Sequence, residues 1–235
     1  NSSTPASPIS AWPTWTTSRS ASAAVLAFTP KELGGVAVHT AVEDDIVVKH
    51  FDPPKQWARV VAIHIGKSRF SAVWCAVDAE AKINYLYSEY HAPLTALPIH
   101  ADAIKQRGAD IPVIFDKMGD DRTEKAGQTL VDRLLDLNLD LYVSEIDREA
   151  AIVEAQAQYG AQRVKVSENM TKWIEQFRRY RRDGEGEVVE GDDQLMVATE
   201  LLLSSGVPIA AIPGSVERLA ADDWARESAD SITGY

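Results

Sequence analysis

The sequence has little cysteine, no long apolar run and no excess of positive charge. Cys75 is the only cysteine among 235 residues, so no disulfide framework can form within the chain. Its apolar neighbours favour a buried small hydrophobe over a nucleophile. No run of about 18 apolar residues could span a bilayer, and no basic start with a following apolar stretch directs secretion. We therefore expect a cytoplasmic protein without membrane contact.

The formal net charge of −11 argues against nonspecific binding of nucleic acid over the whole surface, although it allows a local basic groove. The phosphate-binding pattern G-x-x-x-x-G-K-[ST] occurs nowhere in the chain. Its absence argues against an ATP-driven motor. The length and the 45% hydrophobic content fit one sizeable core with at most a small appendage.

Composition divides the chain into three zones. Residues 1–56 are predicted to be an N-terminal arm, rich in Ser, Thr, Ala and Pro, followed by a lead-in to the core. Residues 57–205 form the predicted core domain, and residues 206–235 a peripheral tail. The chain opens at Asn1 without a methionine, so we expect a fragment or a processed piece.

Within the core, apolar runs and helical periodicity alternate in a regular order, which predicts an α/β fold with a mixed central sheet. Strands are expected at about 59–65, 70–77, 82–90, 111–115, 139–144 and 163–167. Helices are expected at 100–108, 124–138, from an Asp147 cap to 159, at 170–182 and at 192–205.

Two polar residues stand at the ends of apolar strands. His64 interrupts VVAIHIG, and Asp116 follows IPVIF. Ligands gather at the carboxyl ends of strands in open α/β sheets, which makes both residues site candidates. The alternatives are a core histidine with a hydrogen-bond partner, and an aspartate that opens a turn with residues 117–120.

The order of several segments resembles the nuclease domain of the large terminase subunit of tailed phages and prophages. The segments are WARVVAIHIG, SAVWCAVD, INYLYSEYHAPLTALPIHADAIKQRGADIPVIFD, the loop with Gly119 and Gly127, EIDREAAI, KWIEQFRRYRR and EGDDQLMVAT. The resemblance covers residues 57–205. It implies a ribonuclease H-like fold and a metal-dependent endonuclease that cuts concatemeric double-stranded DNA in the bacterial host cell for packaging. It also implies a packaging ATPase domain, a small terminase subunit and a portal as partners.

The resemblance also implies two Mg²⁺ or Mn²⁺ ions held by three aspartates. Carried over by position, these aspartates fall on His64, Asp116 and Val197, so only Asp116 is retained. Mg²⁺ prefers oxygen ligands, whereas imidazole suits softer ions. The resemblance therefore implies a diverged site with weakened metal binding.

Other acidic residues could compensate for the lost aspartates. Asp193 and Glu200 share a helical face with Val197, and Glu89 lies on the third predicted strand. The alternative for Asp192 and Asp193 is helix capping and favourable charge in the first helical turn. Thr199-Glu200 stands where the family usually has an Arg-Tyr pair, which weakens the catalytic analogy.

A basic cluster, FRRYRR, offers a DNA-binding patch. It contains Arg178, Arg179, Arg181 and Arg182, with Lys165 and Lys172 near by in sequence. The alternative is that these arginines complement the helix dipole and are partly cancelled by neighbouring acids. Trp173, Ile174, Phe177 and Tyr180 fit one helical face and are predicted to be core contacts.

Three hypotheses follow. The chain is a diverged terminase-type endonuclease, a catalytically inactive ribonuclease H-like module that keeps DNA or structural contacts, or an unrelated nucleotide-handling α/β enzyme. Cleavage that depends on Asp116 would support the first hypothesis, and DNA binding without cleavage the second. Stabilisation by a nucleotide would support the third.

Overall fold

The computed structural model describes residues 35–116, 129–189 and 191–214. Among these residues the strands are β1 (Val36–Ala37), β2 (Val47–Val48), β3 (Ala58–Ile65), β4 (Arg69–Asp78), β5 (Ile83–Pro93), β6 (Val113–Asp116), β7 (Leu141–Ser144), β8 (Val164–Ser167) and β9 (Arg181–Arg182). The helices are α1 (Glu43–Ile46), α2 (Leu97–Lys105), α3 (Leu130–Leu135), α4 (Arg148–Gly160), α5 (Thr171–Arg179) and α6 (Gln194–Leu201). A π-helical segment, Leu202–Gly206, and a 3-10 turn, Val207–Ile209, follow α6.

A seven-stranded mixed sheet forms the centre, in the order β2-β8-β5-β4-β3-β6-β7. The hairpin-connected strands β3, β4 and β5 are antiparallel, while β6 and β7 continue from β3 in parallel. Strands β3 and β4 are buried on both faces, as their nearly continuous apolar sequences predict. The central sheet is therefore mixed, as the sequence predicted.

Helices cover both faces of this sheet. On one face, α4, α5 and α6 pack on a cluster that includes Val60, Ala62 and Val73. On the other face, α2 and α3 pack on a cluster that includes Val61, Ile63 and Trp74. The predicted fold class is confirmed: a ribonuclease H-like mixed sheet flanked by helices.

Several predicted helix boundaries differ from those in the structure; helices α2 and α3, for example, end at Lys105 and Leu135 rather than at 108 and 138. Helix α2 begins at Leu97 rather than His100, because Pro98 fits the first helical turn. Helix α5 ends at Arg179 rather than residue 182, because Arg181 and Arg182 pair as a strand with Ala37 and Val36. Helix α6 begins at Gln194 and passes into the π-helical segment at Leu202.

Both flanks of the predicted core domain contact it. From the lead-in, β2 pairs with β8, and from the tail, the backbone of Ala211 pairs with Arg59. The domain boundaries at 56/57 and 205/206 stay predictions. Residues 1–34, 117–128, 190 and 215–235 lie outside the described residues. Of the helix predicted at 124–138, the part at 124–128 is therefore outside them.

The prediction for Cys75 is confirmed, since this side chain is fully buried and burial raises the pKa of its thiol. In the described ranges, no helix is long and apolar enough to cross a membrane.

Candidate functional site

A cavity of about 650 Å³ opens at the carboxyl ends of β3 and β6, beside the first turns of α4 and α6. Its lining includes His64, Asp116 and Asp193, which the sequence analysis placed at the metal site, together with Val197 and Glu200. The cationic residues in the lining are Lys67 and Arg148. The position agrees with the general rule for ligand sites in α/β sheets.

Strand pairing brings His64 and Asp116 together. Ile63 of β3 is paired in parallel with Phe115 of β6, so the next residue of each strand reaches the same edge of the sheet. Both side chains are half-buried and line the cavity. His64 is therefore a cavity residue as well as part of a core strand.

Asp193 enters the cavity from the residue before α6. It occupies the N-cap position, yet its side chain makes no capping hydrogen bond. Its Oδ2 instead accepts a hydrogen bond from Nη2 of Arg148 at 2.6 Å, and only 16% of the Asp193 side chain is exposed. The capping hydrogen bond expected of Asp193 is therefore not formed, because the carboxylate pairs with Arg148 instead.

Arg148 is a cavity residue that sequence reasoning missed. It is the first residue of α4, and its Nη2 also donates to the Tyr180 hydroxyl at 3.2 Å. Partial burial opposes the guanidinium charge, but Tyr180 and Asp193 outweigh burial and raise the pKa of Arg148. The cavity therefore contains a permanent positive charge.

Val197 and Glu200 lie further along α6. Val197 brings an apolar side chain to the cavity wall. The buried Glu200 lies with Oε1 at 3.0 Å from Nε2 of His39, which is also buried. His39 comes from the predicted lead-in, and its sequence context gave no signal of this contact. Burial and the charge of Glu200 raise the pKa of the neighbouring Tyr180.

Two further acidic candidates lie outside the cavity lining. Glu89 accepts hydrogen bonds from the backbone N–H groups of Lys172 and Trp173 and so stabilises the start of α5. Burial raises the pKa of Glu89 despite these bonds. Asp192 lies with Oδ1 at 3.1 Å from Nε2 of His91. The substitute-ligand role suggested for Glu89 is therefore not supported by its position.

Three of the four arginines in the basic cluster form ion pairs with nearby glutamates. Arg178 makes a two-pronged contact with Glu43, and Arg182 pairs with Glu149 at 2.6 Å. Arg179 pairs with Glu175 at 2.9 Å on the same helix. Arg181 is half-buried. None of the four lines the cavity, and their role in DNA binding stays a prediction.

The family resemblance implies divalent metal ions, which His, Asp or Glu side chains at the cavity would have to bind. In residues 35–116, 129–189 and 191–214, no three His, Cys, Asp or Glu side chains are grouped to hold a metal ion. Asp193 is paired with Arg148, and Glu200 with His39. Hard ions need several oxygen ligands at once. The side chains as arranged therefore do not fit a two-metal site.

No protein-family model and no curated protein matches the sequence. Solved structures do match the fold. The P22 large terminase nuclease domain is 20% identical, with a TM-score of 0.68 over 82% of this chain and 98% of that one. A large terminase from a thermophilic bacteriophage is 15% identical, with a TM-score of 0.60 over 74% of this chain. This chain covers 46% of that longer terminase.

A third similar structure is the large terminase nuclease of the thermophilic phage G20c with bound magnesium. It is 13% identical, with a TM-score of 0.55 over 72% of this chain and 97% of that one. The same G20c nuclease has also been solved with bound cobalt. At these identities the comparisons establish the fold, and this chain has the fold of the large terminase nuclease domains.

Proposed function

We propose that this chain is the nuclease-type domain of a phage or prophage large terminase subunit, with an impaired metal site. It acts on concatemeric double-stranded DNA during genome packaging, in the cytoplasm of the bacterial host cell. The observation that supports this best is the meeting of Asp116, Asp193 and His64 in one cavity at the carboxyl ends of β3 and β6. The shared fold supports it independently.

One edge of this cavity offers contacts for a DNA phosphate. Lys67 and Ser68, on the turn between β3 and β4, line the cavity and supply a positive charge and a hydroxyl group for a phosphate. By the family resemblance, the partners are a packaging ATPase domain, a small terminase subunit and a portal. The partial coverage of the longer thermophilic phage terminase is consistent with such an ATPase domain.

The residues that line the cavity support the proposed impairment. His64 offers a neutral imidazole where the resemblance implies a carboxylate, and Asp193 is already in an ion pair. Mg²⁺ and Mn²⁺ bind oxygen ligands in preference to imidazole. We therefore propose that His64 accounts for most of the loss, and that Asp193 is a better carboxylate candidate than the Val197 position.

The test is cleavage of supercoiled plasmid in Mg²⁺, Mn²⁺, Zn²⁺ or no metal. We expect little nicking by the unmodified chain and a clear increase in His64→Asp, because the carboxylate supplies an oxygen ligand for a catalytic metal ion. Val197→Asp, alone and combined with His64→Asp, shows whether a carboxylate at this second position also increases cleavage. Asp116→Ala, added to the active variant, should abolish its cleavage.

A second candidate is a catalytically inactive ribonuclease H-like module that binds DNA or packaging proteins. The observation that favours it is the Arg148–Asp193 ion pair within the cavity. DNA binding without cleavage by any folded variant would favour this candidate. Cleavage by the unmodified chain that is lost in Asp116→Ala would instead show substitute ligands, and absence of both binding and cleavage would contradict the DNA role.

A further inference from the structure

Arg148 occupies a position that disfavours a cation. It is the first residue of α4, where the unpaired N–H groups of the helix create a partial positive charge. The Asp147 side chain caps two of these groups, through the N–H of Glu149 and of Ala150. A guanidinium at this position does not stabilise the helix, so its placement must be offset by other contacts.

Those contacts lie across the cavity. Nη2 of Arg148 donates to Asp193 at 2.6 Å and to the Tyr180 hydroxyl at 3.2 Å, so α4 is connected with the residue before α6 and with the end of α5. The 2.6 Å bond joins two charged groups, and such charge-assisted hydrogen bonds are stronger than those between neutral groups. Asp193 gives up its own capping bond in this arrangement.

The cavity is acidic apart from Arg148 and Lys67. Its lining has four carboxylates, of Asp116, Asp147, Asp193 and Glu200. Glu200 is 1% exposed, and it lies close enough to Tyr180, the second partner of Arg148, to help raise the pKa of that hydroxyl. A buried carboxylate is costly, and a nearby positive charge reduces that cost.

We infer that Arg148 acts as the built-in cation of the cavity, because its guanidinium neutralises Asp193 and prevents a divalent ion from using that carboxylate. The inference rests on the proposed function only because it takes this cavity to be the functional site. In this role Arg148 is a positioning residue, whose positive charge offsets carboxylate charge in the cavity when no metal ion is bound. Removing the guanidinium should release the Asp193 carboxylate and so strengthen the attraction of the cavity for a divalent ion.

The test measures Mn²⁺ binding to the full chain, by the electron paramagnetic resonance signal of free Mn²⁺ and by titration calorimetry. We expect Arg148→Met, which keeps an aliphatic stem, to bind Mn²⁺ roughly tenfold more tightly than the unmodified chain, because the repulsion between two positive charges is lost. Its melting temperature should also rise with Mn²⁺. Arg148→Lys keeps the charge and should behave like the unmodified chain.

Arg182→Met is the matched control. Arg182 also forms a 2.6 Å ion pair, with Glu149 of α4, but neither residue lines the cavity. It should leave Mn²⁺ binding unchanged. If Arg148→Met does not fold, Arg148→Gln removes the charge while keeping a donor for Tyr180.

Equal Mn²⁺ affinity in the unmodified chain and in a folded, charge-removing Arg148 variant would overturn the inference. Tighter binding in Arg182→Met as well would also overturn it, since the effect would then be one of net charge. Because no DNA is present, a failure of the DNA role would leave these results unaffected.

Discussion

Glu200 is a carboxylate in the protein core, and His39 lies beside it from a distant part of the chain. The two residues are 161 positions apart, and both side chains are almost completely buried. The His39 ring lies 5.0 Å from that of Tyr159 and 5.6 Å from that of Tyr180, measured between centroids. This pair therefore attaches the lead-in segment to α6 in an aromatic surrounding.

We expect His39→Ala to lower the free energy of unfolding by about 3 kcal/mol, because it leaves the Glu200 carboxylate buried without its hydrogen-bond partner. Urea unfolding followed by circular dichroism measures this loss. His39→Gln retains a hydrogen-bond donor and should recover part of it.

His50→Ala serves as the control for His39→Ala. His50 contacts the Ser167 hydroxyl at 3.2 Å, but its position is exposed. His50→Ala should lower the free energy of unfolding by well under half as much as His39→Ala. An equal loss in both variants would show that burial of the His39–Glu200 pair contributes little.

Single residues also show how far the sequence could predict the site. His64 and Asp116 could be found because each lies at or near the end of an apolar strand, and Asp193 because it lies four residues before Val197 in a predicted helix. Arg148 and His39 could not, because their contacts depend on the packing of α4 and the lead-in against α6. Local patterns predict where an element ends, whereas the partner across a cavity is decided by tertiary packing.

At the scale of elements, α4 shows a boundary that the sequence predicted correctly. Asp147 was expected to cap a helix, and its Oδ2 accepts from the N–H of Glu149 at 3.0 Å and of Ala150 at 3.2 Å. A cap depends on neighbouring residues only, so sequence suffices. The end of α5 depends instead on pairing of β9 with β1, between residues about 145 positions apart, which no local signal specifies.

We expect Asp147→Ala to lower the free energy of unfolding by about 1 kcal/mol, since two N–H groups of α4 lose their acceptor. The carboxylate also faces the positive end of this helix, so its loss removes a favourable charge interaction. Urea unfolding again gives the measurement. Asp147→Asn keeps the amide oxygen as an acceptor and should retain most of the stability; an equal loss in both variants would contradict the capping role.

At the scale of the whole molecule, charge limits how DNA can be bound. The chain has a net charge of −11, and two of the four clustered arginines connect separate elements through ion pairs. Arg178 joins α5 to Glu43 of α1, and Arg182 joins β9 to Glu149 of α4. Arg179 differs, since its Glu175 partner is on the same helix and 65% of its side chain is exposed. Exposed pairs of this kind are weak.

These differences predict which arginine contacts DNA. We expect Arg179→Ala to weaken binding of double-stranded DNA and to reduce the slope of log affinity against log salt by about 1, the value for one lost phosphate contact. Arg178→Ala should leave the slope nearly unchanged, because its guanidinium is already held by both oxygens of Glu43. Fluorescence anisotropy over a range of salt concentrations measures both slopes.

The comparison of these two variants separates a local contact from the effect of net charge, since each removes one positive charge from neighbouring positions of α5. Equal slopes in Arg178→Ala and Arg179→Ala, both below that of the unmodified chain, would mean that general electrostatics dominate. Slopes unchanged from the unmodified chain in both would exclude these two arginines as phosphate contacts. Lys67 at the cavity would then be the next cation to test, because it lies beside Asp116 and His64 in the same lining.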